Sequence, residues 1–318
     1  MTTVIITNPS SRFNRRNTGA RQVLSQRGDV QHIETAELSD LEGAISNLDS
    51  ERLQMLGING GDGTIHHVMT ALLSHLDVAA APPIALFPGG TTNMTATDIN
   101  GGRTTVRSAM QTFDAWVTGR ALTKRHILRV RVEGAPTRYG FFFGMGAIVQ
   151  GIDFRHHHLT RRGAEAHWWE ALAVARALFG FVRRDPGYRH AIGIAVEHAG
   201  ELITPEVSIM LASTLNRLIF GITPWGGASG VLRTAFVDAH ARRHFKALAH
   251  LLGRSRNRVS SPEAGYFSCA PSTIRVTAPE RYTLDGEIYE SGQAPIDIDA
   301  VGPLEFLQLR SHKHAHAS

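Results

Sequence analysis

The chain has 318 residues, a net charge of +5 with histidine neutral, 42% hydrophobic and 19% charged residues, and one cysteine. This composition is typical of a globular protein of about two domains, and a single cysteine excludes an internal disulfide framework. No apolar run approaches the roughly 18 residues of a membrane span, and the opening MTTVIITNPS has too short an apolar run for a signal peptide. We therefore expect a cytoplasmic protein whose partners are anionic, such as nucleotides or an anionic lipid surface.

The first part of the chain alternates strand-like and helix-like segments. Apolar runs predict strands in TTVIITNPSS, DVQHIETAE, RLQMLGI and IALFP, and the segments between them show helical periodicity. Strands that alternate with helices predict a parallel sheet with both faces covered. We assign residues 1–123 to this α/β domain.

The pattern changes at about residue 124. Strand-like segments such as HILRVRVEG, TRYGFFFGMGAIV and RYTLDGEIYE then follow one another with turns between them, interrupted by helical inserts at 163–183 and 243–252. We predict a β-rich domain over residues 124–301. We expect the segment 302–318, which contains LEFLQL, to return to the first domain.

Two glycine-rich loops follow predicted strands of the first domain, GGDGT at 60–64 and PGGTTN at 88–93. A strand, a glycine turn and a helix start place backbone N–H groups at the positive end of a helix dipole, which favours a phosphate. Both loops should lie at the edge formed by the carboxyl ends of the strands. The alternative is a tight turn in which Asp62 merely caps a helix. Neither loop matches the Walker or the G-x-G-x-x-G pattern.

Four segments together resemble the diacylglycerol kinase catalytic-domain family, which includes bacterial soluble lipid kinases, sphingosine kinases and ceramide kinases. They are NPSS at 8–11, GGDGT at 60–64, PGGTTN at 88–93 and LDGE at 284–287. The resemblance implies an N-terminal α/β nucleotide-binding domain, of the kind that NAD kinases and diacylglycerol kinases have, followed by a β-rich sandwich domain. It also implies an active site in the cleft between the domains, with ATP and Mg²⁺ as cofactors.

The same resemblance assigns roles to individual residues. It assigns nucleotide binding to Asn8, Thr35, Gly60, Gly61, Asp62, Gly63, Thr64, Gly90, Thr91 and Asn93. It places Asp285 and Glu287 of the second domain at the phosphates. Glu287 is the first candidate for the base that takes the acceptor proton, Asp62 is the second, and Asp62 and Asp285 are candidate Mg²⁺ ligands. Without the resemblance, Asp285-Gly286-Glu287 is also typical of an ordinary hairpin turn.

The sequence departs from the family at positions near the predicted site. Met94 and His126 stand where many bacterial members have aspartates. Asp238 resembles a peripheral metal-site position of some members, although the glycine that follows it there is Ala239 in this chain. These departures leave the acceptor open among diacylglycerol, ceramide and a sphingoid base, and they leave the peripheral metal site open.

Two segments are candidates for contact with a bilayer. The helix-like segment 164–184 carries two tryptophans and ends in two arginines, and the segment 216–227 carries Leu218, Ile219, Phe220 and Trp225. Either segment could line a lipid entrance. Burial in the core is the alternative for both. The histidine-rich segments 155–159 and 312–317 are predicted to be solvated surface.

The sequence therefore predicts an ATP- and Mg²⁺-dependent lipid kinase that binds peripherally to an anionic membrane surface. No nucleic-acid motif is found, so we expect no nucleic-acid partner. The alternatives are a NAD-kinase-like phosphotransferase that acts on a soluble nucleotide and a catalytically silent, nucleotide-binding membrane adaptor. The sequence leaves the oligomeric state open.

Overall fold

The structure of the chain is a computed structural model. It describes residues 2–16, 22, 24–49, 52–102, 105, 122–154, 191–198, 200–240, 265–277 and 280–308. The chain divides into two compact units, residues 1–127 with 302–318 and residues 128–301. The predicted boundary at residues 123 and 124 lies a few residues before this division, inside a strand.

The described elements of the first unit are strands and helices in alternation. The strands are β1 (Thr2–Thr7), β2 (Val30–Glu34), β3 (Leu53–Gly60) and β4 (Ile84–Pro88). The helices are α1 (Arg12–Arg16), α2 (Leu38–Ser46), α3 (Asp62–His75) and α4 (Met94–Ile99), with a 3₁₀ turn at Val78–Ala80. Strand β5 (Leu122–Val132) leads from the first unit into the second.

The described residues of the second unit are mostly in strands. Its strands after β5 are β6 (Arg138–Gly140), β7 (Phe142–Gly146), β8 (Ile192–His198), β9 (Glu201–Ile203), β10 (Glu206–Ser213), β11 (Arg233–Asp238), β12 (Tyr266–Cys269), β13 (Thr273–Val276), β14 (Arg281–Leu284), β15 (Glu287–Glu290) and β16 (Ile296–Leu307). Helix α5 (Ala147–Phe154) follows β7, and a 3₁₀ turn spans Ile219–Gly221. The end of β16 belongs to the first unit again.

The sheet of the first unit is parallel, in the order β16, β4, β3, β1, β2. Strands β1, β3 and β4 are apolar and buried along most of their length. Such continuous apolar runs are typical of parallel strands that are covered on both faces. Helix α3 buries Ile65, Val68, Met69 and Leu72 at helical spacing, and it begins directly after β3. This places the GGDGT segment where β3 ends and α3 starts.

The second unit consists of antiparallel ladders. One ladder runs β15, β14, β7, β10, β11, β12, and another runs β9, β8, β13 and the first half of β16. Their inward side chains form one apolar cluster that includes Phe143, Met145, Phe236 and Tyr282. Burying side chains of this size contributes about 1.5–3 kcal/mol each relative to exposure. The predicted arrangement of an α/β domain followed by a β-rich domain is confirmed.

None of the helices in the described ranges has the length and hydropathy needed to cross a bilayer.

Candidate functional site

The three N-terminal motifs lie at one edge of the parallel sheet. NPSS follows β1, GGDGT spans the end of β3 and the start of α3, and PGGTTN spans the end of β4 and the start of α4. Because β1, β3 and β4 are parallel neighbours, their carboxyl ends meet at the same edge. Side-chain and backbone contacts then join the three loops to one another.

Asn8 joins the first loop to the second. Its Nδ2 donates to Oγ1 of Thr64 at 3.1 Å, and its Oδ1 accepts the N–H of Ser10 at 2.8 Å. The Asn8 backbone N–H donates to the carbonyl of Asn59 at 3.0 Å. The predicted nucleotide ligand Asn8 is therefore a brace between loops. The Thr64 hydroxyl accepts this bond, and its own hydrogen can still be donated.

Asp62 joins the second loop to the third. Its Oδ2 accepts the N–H of Met94 at 3.0 Å, and its Oδ1 accepts the N–H of Thr95 at 2.9 Å. The carboxylate thus caps the first turn of α4, although Asp62 itself is the first residue of α3. Desolvation raises the pKa of the Asp62 carboxyl, and the N–H groups of Thr95 and Met94 oppose that rise.

The glycines of the two loops allow close contact between their backbones. A Cβ built on Gly90 would lie 2.4 Å from the Cα of Gly61. The N–H of Gly89 donates to the carbonyl of Gly60 at 2.9 Å. A Cβ on Gly60 would meet the side chain of Thr64 at 2.5 Å. Glycine is needed here because the loops contact each other, in addition to any approach to a ligand.

The PGGTTN loop uses its asparagine to hold its own shape. Asn93 has left-handed backbone angles (φ 48°, ψ 40°), its Oδ1 accepts the N–H of Gly90 at 2.8 Å, and its Nδ2 donates to the Gly90 carbonyl at 3.0 Å. The Gly90 N–H is therefore already engaged. The neighbouring Thr91 is half-buried in the loop.

The N-terminus of α3 offers backbone donors. Its first intrahelical bond runs from the N–H of Ile65 to the carbonyl of Gly61 at 3.0 Å. The N–H groups of Asp62, Gly63 and Thr64 therefore have no acceptor within the helix. Donors in this position, with the Thr64 hydroxyl beside them, can bind a phosphate group.

A buried polar network below the loops was not predicted from the sequence. Asn14, on α1, is fully buried, and its Nδ2 donates to the carbonyls of Asn8 at 2.9 Å and Asn59 at 3.2 Å. Asn59 Nδ2 donates to Oγ1 of Thr7 at 3.3 Å, and the backbone N–H of Thr35 donates to the Thr7 carbonyl at 3.0 Å. A polar Asn59 inside the apolar run LGINGG was the available signal. Thr35, a predicted nucleotide ligand, is buried.

In the second unit, Asp285 and Gly286 form the two-residue turn between β14 and β15. Both have positive φ, 51° and 95°, and Leu284 pairs with Glu287 across the turn. Positive φ at both central residues is typical of a type I′ hairpin turn. The buried Asp285 carboxylate accepts the N–H groups of Phe141 and Phe142, each at 2.9 Å. Asp285 thus holds the start of β7 against the hairpin.

Glu287 differs from both aspartates. It is half-buried at the start of β15, and its carboxylate makes no hydrogen bond or ion pair with any residue that the structure describes. Tyr289 lies on the same face of the strand, two residues on. The Arg138 guanidinium stacks 4.2 Å from the Tyr289 ring centroid, and its Nη1 donates to the Tyr282 hydroxyl at 3.5 Å. The sequence did not predict this cluster of Arg138, Tyr282, Glu287 and Tyr289.

Tyr289 keeps its proton over the physiological range. Burial raises the pKa of its hydroxyl to about 12; the charge of Arg138 opposes this rise and that of Glu287 adds to it. The Tyr289 hydroxyl therefore keeps its hydrogen and can donate it near the Glu287 carboxylate.

The positions at which the sequence departs from the family have ordinary surroundings. His126 lies on β5, where burial lowers the pKa of its imidazole and keeps it neutral at pH 7. The Asp238 carboxylate accepts the N–H of His240 at 2.6 Å, which closes a local turn after β11. Within the described ranges, no group of three His, Cys, Asp or Glu residues could hold a metal ion. The metal site at Asp238 stays a prediction.

The candidate membrane segments have different outcomes. Residues 164–184, like the histidine-rich segments 155–159 and 312–317, lie outside the described residues. In the segment 216–227, Leu218 and Trp225 are buried, as the core alternative expected, whereas Phe220 is exposed.

A groove of about 570 Å³ on the second unit is lined by Arg131, Glu197, Leu202, Arg275 and Asp297, among others. Two of its charged residues pair with each other, since Arg275 lies 3.2 Å from Asp297. Neither Asp285 nor Glu287 lines the groove. We therefore do not assign it to the acceptor.

Comparisons with known proteins agree with the motifs. Residues 2–122 match the family model "Diacylglycerol kinase catalytic domain". The predicted family resemblance is confirmed. The match supports assignment of the chain as a kinase, and thus a transferase. No curated protein matches the chain.

Solved structures share the fold over nearly the whole chain. A Bacillus anthracis str. Sterne protein, provisionally assigned as a diacylglycerol kinase, has a TM-score of 0.70 at 15% identity and covers 96% of each chain. A diacylglycerol kinase from the same organism has a TM-score of 0.64 at 14% identity, again over 96% of each chain. At these identities the likeness supports the fold.

Proposed function

We propose that the protein is a lipid kinase that transfers the γ-phosphoryl group of ATP to a hydroxyl of a membrane lipid. The observation that carries this proposal is the joining of three sequence motifs, within the region that matches the kinase family, into one set of loops with backbone donors at the start of α3. The acceptor would be diacylglycerol, ceramide or a sphingoid base.

The residues of the first unit fit the phosphates of ATP. The N–H groups of Asp62, Gly63 and Thr64 point out of the first turn of α3, and the Thr64 hydroxyl has a hydrogen to donate. Gly61 and Gly90, which contact each other, place no side chain of their own beside these donors. We propose that Gly60, Thr91 and Thr35 line the same site.

Asp62 and Asp285 could supply two of the ligands that Mg²⁺ needs. Asp62 and Asp285 each accept a backbone N–H on both oxygens, and a carboxylate oxygen has a second lone pair that can bind a metal. Mg²⁺ commonly takes one or two carboxylates and completes its shell with phosphate oxygens and water. When bound, it would neutralise charge on the transferred phosphoryl group.

Glu287 is the residue we assign as general base. Its carboxylate has no hydrogen-bond or ion-pair partner among the described residues, so it can accept the proton of the acceptor hydroxyl as that oxygen attacks phosphorus. Asp285, whose oxygens already accept two N–H groups, would hold the turn that presents Glu287.

We propose that the protein works in the cytoplasm, at an anionic membrane surface. The net charge of +5 supports such a partner, because juxtamembrane Lys and Arg residues are attracted to anionic lipids.

The test is transfer of radiolabelled γ-phosphate from Mg²⁺-ATP to detergent-dispersed diacylglycerol, monoacylglycerol, ceramide and sphingosine, with NAD as a soluble control. We expect label in one lipid class and none in NAD. Label in NAD alone would contradict lipid specificity and indicate the soluble phosphotransferase. Absence of label from every acceptor, with ATP binding intact, would overturn the kinase proposal in favour of the silent adaptor.

A further inference from the structure

The loop of residues 216–227 has a buried base and an apolar tip. Phe220 is 58% exposed, and Ile219 and Ile222 beside it are half-buried. Leu218 and Trp225 are buried in the base. Three large apolar residues within four positions therefore face or border solvent at the tip. Exposed apolar groups of this kind mark contact surfaces more often than scattered single residues do.

The backbone at the tip is unusual. Phe220 has left-handed angles, φ 58° and ψ 18°, which a bulky side chain rarely adopts. The N–H of Leu218 donates to the Ile222 carbonyl at 2.8 Å, and the Leu218 carbonyl accepts the N–H of Gly221 at 3.0 Å. Strained conformations of this kind persist where the surroundings enforce them, and they cluster at functional sites.

The base of the loop is held by side chains. The Trp225 indole N–H donates to the Asn216 carbonyl at 3.1 Å, and Arg233 donates to Asn216 Oδ1 at 3.0 Å. Ser268 Oγ donates to the Pro224 carbonyl at 2.9 Å. A ring carried on such a fixed turn loses little conformational freedom when it is buried by a partner.

We propose that the tip, residues 219–222, is a membrane anchor that inserts Phe220 into the interface of an anionic bilayer. An aromatic ring next to basic residues suits the boundary between headgroups and acyl chains, and Arg217 is exposed three residues before Phe220. The chain carries a net charge of +5, which attracts anionic lipid and opposes self-association through this tip. The inference rests on the proposed function, because a lipid kinase must reach its acceptor at a bilayer.

The test is co-sedimentation of the full chain with vesicles of equal parts phosphatidylcholine and phosphatidylglycerol. Phe220→Gly removes the ring at a left-handed position that glycine adopts freely, so its Tm should equal or exceed that of the wild type. Its vesicle partition should fall at least about tenfold, as expected for loss of one inserted aromatic side chain. The matched control is Leu202→Ala on β9, where a 70% exposed leucine lies outside the tip; its partition should be unchanged.

Several results would overturn the proposal. These are a wild type that does not sediment with anionic vesicles, a Phe220→Gly variant that sediments like the wild type, or equal losses in both variants. A changed oligomeric state in light scattering, with vesicle binding unchanged, would assign the tip to contact between copies of the chain instead.

A separate readout distinguishes this inference from the proposed function. Transfer of γ-phosphate to a short-chain, monomeric form of whichever lipid takes the label should be the same in the wild type and in Phe220→Gly, because no bilayer is involved. If the wild type phosphorylates no acceptor but binds vesicles through Phe220, the kinase proposal fails and the anchor stands.

Discussion

The glycine-rich loops of the first unit and the Asp-Gly-Glu hairpin of the second place similar residues in similar surroundings. In each, an aspartate stands beside a glycine, and both of its carboxylate oxygens accept backbone N–H groups: Asp62 from Met94 and Thr95, Asp285 from Phe141 and Phe142. The hairpin adds one residue that the loops lack, a half-buried glutamate without a hydrogen-bond or ion-pair partner among the described residues.

This difference separates structural roles from chemical ones. A carboxylate that accepts two N–H groups fixes the loop that donates them, and its remaining lone pairs suit a metal better than a mobile proton. A carboxylate without such bonds is free to accept a proton. The two aspartates therefore brace their loops, and we propose that Glu287 takes the proton.

The largest effect is expected for Glu287→Gln. The amide cannot accept the acceptor proton, so kcat for γ-phosphate transfer should fall by about 10²- to 10⁴-fold while Tm stays unchanged. Glu290→Gln is the matched control, because Glu290 lies on the same strand, is exposed and pairs only loosely with Arg281, at 3.5 Å. Equal turnover in Glu287→Gln and the wild type would remove Glu287 as the base.

Gly90→Ala should disturb the contact between the two glycine-rich loops of the first unit. Its Cβ would lie 2.4 Å from the Cα of Gly61, and backbone cannot yield as a flexible side chain can. We expect a loss of about 1–3 kcal/mol in the free energy of unfolding, measured by urea denaturation, together with weaker ATP binding. Gly43→Ala, on the exposed face of α2 with no atom within 4 Å of the added methyl, should instead stabilise by about 0.5–1 kcal/mol. Equal effects at both positions would contradict the loop contact.

Asp62→Ala tests the brace directly. Loss of the cap on α4 should destabilise the protein by about 0.5–2 kcal/mol. Because burial raises the pKa of the Asp62 carboxyl, the folded protein holds that proton more tightly than the unfolded chain. The stabilisation that comes from this bound proton is complete below the pKa of the unfolded chain, about 3.9. It is lost as the pH rises through the higher pKa that Asp62 has in the folded protein. The Tm difference between wild type and variant should therefore shrink as pH rises from acidic to neutral; a constant difference would contradict the raised pKa.

Arg138→Met should have the smallest effect. It removes the cation stacked on Tyr289, for a loss of about 0.5–1 kcal/mol in the free energy of unfolding. In the wild type, spectrophotometric titration should show one tyrosine with a pKa of about 12 that disappears in Tyr289→Phe. Arg138→Met should move that transition to higher pH, because Arg138 lowers the pKa. If Tyr289→Phe instead removed a transition at the ordinary tyrosine value, the burial of Tyr289 would be contradicted.

Local sequence signals predicted the loops but not how they are joined. Apolar runs with helical and strand periodicity placed β3, α3 and β4, and the glycines marked the turns after the strands. The partners of Asp62 lie 32 and 33 residues away, and those of Asp285 lie 143 and 144 residues away. Contacts at such separations leave no periodic trace in the sequence.

The loop of residues 216–227 is a second feature that the sequence did not fully predict. Hydrophobicity alone did not distinguish Leu218, Phe220 and Trp225 from one another, since all three suited either the mouth of a lipid pocket or the core. The structure buries Leu218 and Trp225 and exposes Phe220, because the backbone turns over at the left-handed Phe220. A non-glycine residue in that conformation has no sequence signature.

The division of roles is tested most directly by calorimetric titration of Mg²⁺-ATP into the wild type and into Glu287→Gln. If the first unit binds the nucleotide and Glu287 serves only in proton transfer, both proteins should bind ATP with the same Kd, although the variant has lost turnover. A Kd weakened tenfold or more in Glu287→Gln would place Glu287 in the nucleotide or metal site and contradict the account.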